Sequence, residues 1–396
     1  MEYKKKEYSA IIQRIAEPRM FIQVLMGPRQ VGKSTLISQV MEATDIPHSF
    51  FSADTVDEND GEWIVRSWES ARQTMNLHGN SEYLLVIDEI QKISNWSEYV
   101  KREWDKDSMS RLNMKVVLLG SSRLLLRKGL TESLTGRYEL IRIGHWTYAE
   151  MHDAFGFSLD QWMYFGGYPG GARLVSDERR WRKYVKDSLV APSIEKDVIM
   201  TSRIYKPALM TQMFELGCSY SGELLSLTKM LGQLQDAGNV TTLQSYLNVL
   251  KQCNLLAGLQ KYAVDDTRKY KSVPKLQVYN NALLTAHHHT TFETTRIDTK
   301  LWGRWVESAV GVHLLNQAEN EEYSVYYWRD HDDEVDFIVN RGGKVTAIEV
   351  KSGRRGMNSG LPVFNGKFHP DKSIVVGTDG ISLIDFFTSN IIDILA

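Results

Sequence analysis

The sequence predicts a multidomain α/β protein, with a parallel-sheet core built on a phosphate-binding loop, then a helical lid, a winged helix and a C-terminal α/β domain. Three stretches carry that expectation. "GPRQVGKST" lies between an apolar strand and a helix start, "YLLVIDEIQ" is an apolar strand closed by two acids, and "EVDFIVNRGGKVTAIEVKSG" is a hairpin that opposes carboxylates. At 396 residues the chain exceeds one ordinary core, so two to four domains are expected. Its 42% hydrophobic and 24% charged residues are those of a soluble globular protein. A net charge of −2 draws no nucleic acid by its overall field, leaving such binding to local basic patches. Cys218 and Cys253 sit in apolar helical contexts without metal-ligand spacing, as reduced thiols of a cytoplasmic protein do. The charged start "MEYKKKEYSAIIQRI" has no signal-peptide apolar region, and no run approaches the roughly 18 apolar residues of a membrane span.

Residues 1–150 read as the nucleotide core. The pattern G-x-x-x-x-G-K-[ST] is met by Gly27, Gly32, Lys33 and Ser34, between the strand from Phe21 and an amphipathic helix. Loop N–H groups and the helix N-terminus cradle phosphates, Lys33 reaches the β and γ phosphates, and the Ser34 hydroxyl ligates Mg²⁺. Asp88 is placed to hold that Mg²⁺ through water, and Glu89 to polarise the attacking water. The strand "KVVLLGSSR" ends in Ser121 and Ser122, which read either as a γ-phosphate sensor or as a helix cap. Arg137, beside Gly136, reads as a transition-state cation, in its own subunit or a neighbour's, or as an exposed structural arginine. No Asn-Lys-x-Asp pattern is present, so ATP is the expected nucleotide.

Residues 151–210 read as a helical lid on the ATPase sheet, broken at Gly166–Gly171. Trp162, Tyr164, Tyr168, Trp181 and Tyr184 are expected in packing, and Arg179, Arg180, Arg182 and Lys183 on a solvated helix face. Residues 211–286 read as a winged helix: a helix, a turn at Asp236–Asn239, a second helix opening near Thr241, and two strand-like runs flanking "DDTRKYK". Leu243, Tyr246, Leu247 and Leu250 form the second helix's buried stripe. Thr241, Gln244, Ser245, Asn248 and Lys251 lie on its outward face. The wing adds Arg268, Lys269, Lys271 and Lys275, partly offset by Asp265 and Asp266. Duplex DNA held through phosphates and a protein partner are both compatible with that surface. Thr-rich 287–300 reads as a linker.

Residues 301–396 open with a helix carrying Val306, Val310 and Leu314 along one side and Glu307 at the margin. In the following hairpin, a Gly342-Gly343 turn sets Arg341 opposite Lys344 and Asp336 opposite Glu349. Carboxylates opposed at roughly 5 Å between Cβ atoms repel. One face (Val335, Phe337, Val339, Ile348, Val350) is expected on a core, while the other gathers Asp336, Glu349 and Lys351. Two readings stand. The acids with a backbone carbonyl hold Mg²⁺ or Mn²⁺ while Lys351 positions a water, or Glu334 faces Lys351 in a surface charge lattice.

"GPRQVGKST", "LLVIDEIQ", "LLGSS", "LTGRYEL", "GGYPGG", "KLQVYNNALL" and "EVDFIV…AIEVKSG" together resemble the bacterial and archaeal AAA+ ATPases of the archaeal-type ATPase group. In that group a winged helix leads into a C-terminal PD-(D/E)xK nuclease-like domain of unknown function. The resemblance spans nearly the whole chain. It implies an ASCE-type P-loop core and a nucleotide loop of Gly27, Pro28, Arg29, Gln30, Val31, Gly32, Lys33, Ser34 and Thr35. It also implies Asp88 and Glu89 as Mg²⁺ and water acids, Arg137 as finger or sensor, and Glu307, Asp336, Glu349 and Lys351 as the nuclease set. The chain departs from the group at Ser121-Ser122, where many members have asparagine, and at Asn280, where an acid is usual. The expected activity is Mg²⁺-dependent ATP hydrolysis coupled to nucleic acid, with metal-dependent DNA cleavage at the C-terminal end. The alternative is an ATP switch whose later domains only dock DNA or protein partners. A finger supplied by a neighbour implies a homo-oligomer.

Overall fold

The computed structural model describes residues 3–121, 126, 129–131, 133–199, 204–235, 238–263, 272–353 and 360–395. They fall into two compact units, Met1–Gly144 and His145–Ala396.

In the first unit, β1 (Ile22–Met26), β2 (His48–Ser52), β3 (Tyr83–Asp88), β4 (Met114–Gly120) and β5 (Tyr138–Arg142) form one parallel sheet in the order β2-β3-β4-β1-β5. β1, β3 and β4 are buried at every position, which is why their sequences are unbroken apolar runs rather than alternating ones. Helices α1 (Glu7–Ala16) and α2 (Lys33–Ala43) cover one face through Ile11, Ile15, Leu36 and Ile37. Helices α3 (Glu62–Leu77) and α4 (Trp96–Met109) cover the other through Ile64, Trp68, Val100 and Trp104. Buried Arg72 joins the last two helices. Its guanidinium donates to Asp107 at 2.7 Å, Glu103 at 2.7 Å and Glu69 at 2.8 Å, and the Trp68 indole donates to the second Asp107 oxygen at 2.7 Å. Because β4 lies between β1 and β3, the ends of β1 and β3 open on the same sheet edge, where ligands gather in open α/β folds.

The second unit contains everything from His145 onward. The segment expected as a lid on the ATPase sheet packs within this unit. Buried Asn280 accepts from the Gly167 and Ala282 N–H groups at 3.0 and 3.1 Å, and Asn281 donates to the Met163 carbonyl at 2.6 Å. Trp162, Tyr164, Tyr168 and Trp181 are buried, as their packing role requires. Arg182 departs from the solvated face expected of it: its guanidinium holds the carbonyls of Thr285, His288 and Thr290. Those contacts explain a further correction. Residues 287–300 are not a free linker, because Thr291 caps a helix over Phe292–Ile297 and Asp298 caps the long helix Thr299–Ala318.

Between these parts lie helices Pro207–Ser219, Leu227–Leu231 and Val240–Gln252, the last capped by Asn239 and burying Leu243, Tyr246, Leu247 and Leu250. Strands β6 (Leu256–Leu259) and β7 (Lys275–Val278) pair antiparallel. Ser122, Asp236 and the expected wing residues Asp265, Asp266, Arg268, Lys269 and Lys271 lie outside the described residues.

The C-terminal sheet has the order β11-β10-β9-β8, formed by β8 (Ser324–Asp330), β9 (Asp333–Arg341), β10 (Lys344–Lys351) and β11 (Lys372–Gly377). β9 and β10 pair in the expected register, Lys344 with Arg341 through Ile348 with Phe337, while β11 runs parallel to β10. The face assignment fails for a local reason. A bulge against β8 between Tyr326 and Trp328 shifts the β9 register, so Val335 packs with Ile338, Trp328 and Phe364. Val335, Phe337, Ile338 and Val339 are all buried, so the hairpin is covered on both faces rather than one.

A buried polar seam ties β7 to the long helix. Gln277 donates to the Ser308 carbonyl at 2.9 Å, Ser308 donates to the Asn281 side chain at 2.8 Å, and the Ser221 and Ser308 hydroxyls share a hydrogen bond of 2.8 Å. Among the described residues, no helix is long and apolar enough to cross a membrane.

Candidate functional site

The loop after β1 turns through Gln30 (φ 61°) and Gly32 (φ 87°), the latter serving as N-cap of α2. Gly27 is required by close approach, since a Cβ there would lie 2.2 Å from the Ile143 carbonyl oxygen. Pro28 and Val31 are buried, Arg29 half-buried, and Thr35 is exposed on the first turn of α2. Buried Lys33 folds back into the loop, its ammonium donating to the carbonyls of Pro28 at 2.8 Å and Gly27 at 3.0 Å. Phosphate oxygens offer the same geometry with a formal charge, so the ammonium is prepared for that exchange.

Across the sheet edge, the Ser34 hydroxyl donates to Asp88 at 2.8 Å, and the other Asp88 oxygen accepts the Glu89 N–H at 2.8 Å. Burial raises the Asp88 pKa, opposed by the Ser34 bond and reinforced by the Glu89 charge. Glu89 takes a left-handed backbone (φ 53°) that costs roughly 1–2 kcal/mol in a residue with a Cβ. One of its oxygens accepts from Gln91 at 2.6 Å and Ser121 at 3.0 Å. Lys33, Ser34, Asp88 and Glu89 thus converge as expected. The Glu89 clamp was not anticipated. Gln91, two positions on in "DEIQ", was its only signal in sequence, and Ser121 spends its hydroxyl on Glu89.

Arg137 is not in this group. β1 and β5 pair from Ile22 with Tyr138 to Met26 with Arg142, so Arg137 precedes the strand start while the loop follows the strand end. Five residues separate those edges by roughly 13 Å at the usual strand rise. Its Nε and Nη2 donate to the two Asp105 oxygens, at 2.8 and 3.1 Å. The own-subunit role is therefore corrected by the sheet geometry.

A second cluster forms in the C-terminal sheet. Glu307 from the long helix and Glu334 and Asp336 from β9 meet around a residue expected on the wing surface, Lys275, while Glu349 and Lys351 from β10 pair with each other. Lys275 is fully buried at the start of β7. Its ammonium pairs with Glu307, donates to the Asp336 carbonyl at 3.2 Å, and stands 3.7 Å from Glu334 and 3.9 Å from the Asp336 carboxylate. Lys351 donates to Glu349 at 2.8 Å, and the Val350 N–H to Asp336 at 2.7 Å. The expected Glu334–Lys351 contact does not form, because Glu334 turns to Lys275 and, at 3.7 Å, to Arg329.

Burial pushes Glu307 upward against the opposing charge of Lys275, and pushes Glu349 up to about 7, with Asp336 adding to the shift. The surrounding carboxylates hold Lys275 charged. Glu349 Oε2 is buried without a hydrogen-bond partner. Among the described residues, no three His, Cys, Asp or Glu side chains stand close enough to share a metal ion. The four expected residues are neighbours, and the cation between Glu307 and Asp336 is the Lys275 ammonium.

Comparison with known proteins agrees with the first unit's fold. Residues 20–152 match the model of an AAA domain family, whereas residues 156–294 and 302–383 match two families described as domains of unknown function (DUF8612 and DUF4143). An uncharacterized protein of Methanocaldococcus jannaschii is 22% identical over 368 residues, covering 86% of this chain and 77% of its own. Among solved structures, a Walker-type ATPase of Pyrococcus abyssi superposes with a TM-score of 0.50 at 13% identity, over 72% of this chain and 96% of that one. The ORC2 protein of Aeropyrum pernix, solved in ADPNP-ADP complexes, gives 0.47 at 12% identity, over 81% and 96%. Residues 20–152 therefore carry an AAA-type domain with a phosphate-binding loop on a parallel α/β sheet.

Proposed function

We propose that this protein is a cytoplasmic Mg²⁺-dependent ATPase whose nucleotide cycle drives nucleic-acid binding or processing by its second unit. The convergence of Lys33, Ser34, Asp88 and Glu89 at one sheet edge carries the reading. Ser34 and Asp88 would hold Mg²⁺, which neutralises charge on the β- and γ-phosphate oxygens. Lys33 exchanges its loop carbonyls for phosphate oxygens. Glu89, held on one oxygen by Gln91 and Ser121, orients the attacking water through the other. Arg137 serves this chemistry only from a neighbouring copy in a homo-oligomer, after release from Asp105.

The nucleic-acid arm of the reading rests on the Val240–Gln252 helix, which leaves Thr241, Gln244, Ser245, Asn248 and Lys251 exposed beside the β6–β7 pair, in the arrangement of a winged helix. In the C-terminal sheet, Glu307, Asp336, Glu349 and Lys351 fit a PD-(D/E)xK nuclease pattern with Mg²⁺ or Mn²⁺. One observation favours the alternative, an ATP switch that docks DNA or protein partners without cutting: the Lys275 ammonium stands inside that cluster.

Hydrolysis assays test the first part. Lys33→Ala abolishes turnover, and Glu89→Gln retains ATP uncleaved. Normal turnover in both variants sinks the ATPase reading. Cleavage of plasmid and single-stranded DNA with Mg²⁺ or Mn²⁺ that disappears in Lys351→Ala decides for the nuclease over the switch.

A further inference from the structure

The geometry points to Lys275 as the resident cation of the C-terminal acid cluster, seated where a divalent ion would sit and making the cluster a charge clasp rather than a metal centre. The inference rests on the docking reading of the second unit and is independent of ATP hydrolysis.

Four oxygens surround the ammonium: the Glu307 carboxylate, the Asp336 carbonyl at 3.2 Å, and the carboxylates of Glu334 at 3.7 Å and Asp336 at 3.9 Å. A cleavage metal in this pattern would draw on the same oxygens of Glu307 and Asp336. Of the remaining groups, Lys351 donates to one Glu349 oxygen, the Val350 N–H binds Asp336 and Arg329 approaches Glu334, while Glu349 Oε2 is buried without a hydrogen-bond partner. A divalent ion entering beside Lys275 would meet a fixed positive charge. Lys275 is fully buried, its ammonium 4.9 Å from the centre of the Phe337 ring. Its backbone is also fixed, because β7 pairs with β6 through Lys275–Leu259 and bridges Leu224. A lysine held by an adjoining element of the same chain therefore answers the carboxylate repulsion of the hairpin.

The test uses nucleotide-free full-length protein and Mn²⁺ as the probe, followed by electron paramagnetic resonance. Wild type is expected to show no uptake that Asp336→Asn removes. Lys275→Met is expected to take up about one Mn²⁺ per chain, as an oxygen-lined cation site does, and to lose it when Asp336→Asn is added. Lys275→Met strips charge from a buried cluster, so a second measurement covers its failure to fold. Wild type is reductively methylated with and without Mn²⁺, and each lysine is followed by peptide mass spectrometry. Lys275 should stay unlabelled in both conditions while exposed Lys344 reacts. Three results overturn the inference: Mn²⁺ uptake by wild type that Asp336→Asn removes, labelling of Lys275 induced by Mn²⁺, or a folded Lys275→Met that takes up none. Since no readout involves nucleotide, an inactive ATPase leaves this test intact, and an active one does not answer it.

Discussion

Replacing Lys275 with methionine keeps most of the side-chain volume and removes one charge from the middle of three carboxylates. Breaking a buried ion pair from one side costs about 3–5 kcal/mol, because the orphaned charges keep their desolvation penalty. Here the acids retain some solvent, with 23% of the Glu307 side chain and 16% of the Asp336 side chain exposed. The lower end, about 3 kcal/mol, is therefore expected. For a unit of this size, that lowers the unfolding midpoint by about 6–12 °C. The assay is a double-mutant cycle by thermal and urea unfolding, pairing Lys275→Met with Glu307→Gln. Each single change should destabilise, and the double should cost less than their sum by at least about 1 kcal/mol, as expected of residues in contact. A midpoint for Lys275→Met no lower than that of Lys344→Met, at the exposed hairpin tip, refutes the clasp.

Other expectations are independent of that cluster. Arg72→Met leaves Asp107 and Glu103 buried without their cation and should destabilise the first unit by about 3–5 kcal/mol in urea unfolding, without moving the second unit's transition. Arg137→Ala should leave ATP affinity of the isolated chain unchanged, since Arg137 lies at the sheet edge remote from the loop; a more than tenfold weakening in equilibrium titration contradicts that placement. The pH dependence follows from Glu349, which keeps its proton to about 7 when folded but releases it near the ordinary carboxyl range when unfolded. Its contribution to stability is full below the unfolded pKa and falls as pH rises from about 4.5 to about 7. Glu349→Gln should flatten that part of the profile in unfolding measured across the range.

The nucleotide site was legible in sequence because its chemistry is local. Gly27, Gly32, Lys33 and Ser34 are contiguous enough for spacing to define a loop, and an apolar run ending in Asp88-Glu89 reads as a strand meeting the ligand edge because it follows that loop. The hairpin register was legible for the same reason, since turn and alternation are short-range. What escaped depends on contacts distant in sequence. Nothing around Lys275 distinguishes a buried lysine from a basic wing residue, because its partners lie on a later helix and strand. Arg137 looked like a finger beside the site because sequence order carries no information about which end of a parallel strand faces the loop. The β9 bulge arises from pairing with β8, which alternation within β9 cannot reveal. The supposed linker reads as polar because its threonines cap a helix and its carbonyls are spoken for by Arg182.

The seam of Gln277, Asn281, Ser221 and Ser308 bears on how this chain can be divided. The two domain families of unknown function meet between residues 294 and 302, but a buried hydrogen-bonded seam crosses that border. A fragment ending at that border would expose Gln277, Asn281 and Ser221 with half their hydrogen bonds missing, and would leave Lys275 an ammonium facing water in place of carboxylates. The complementary fragment would carry Ser308, Glu307 and Asp336 equally bereft. Chimeras that exchange the C-terminal sheet alone should therefore be recovered insoluble unless the β7 lysine and the seam travel with it.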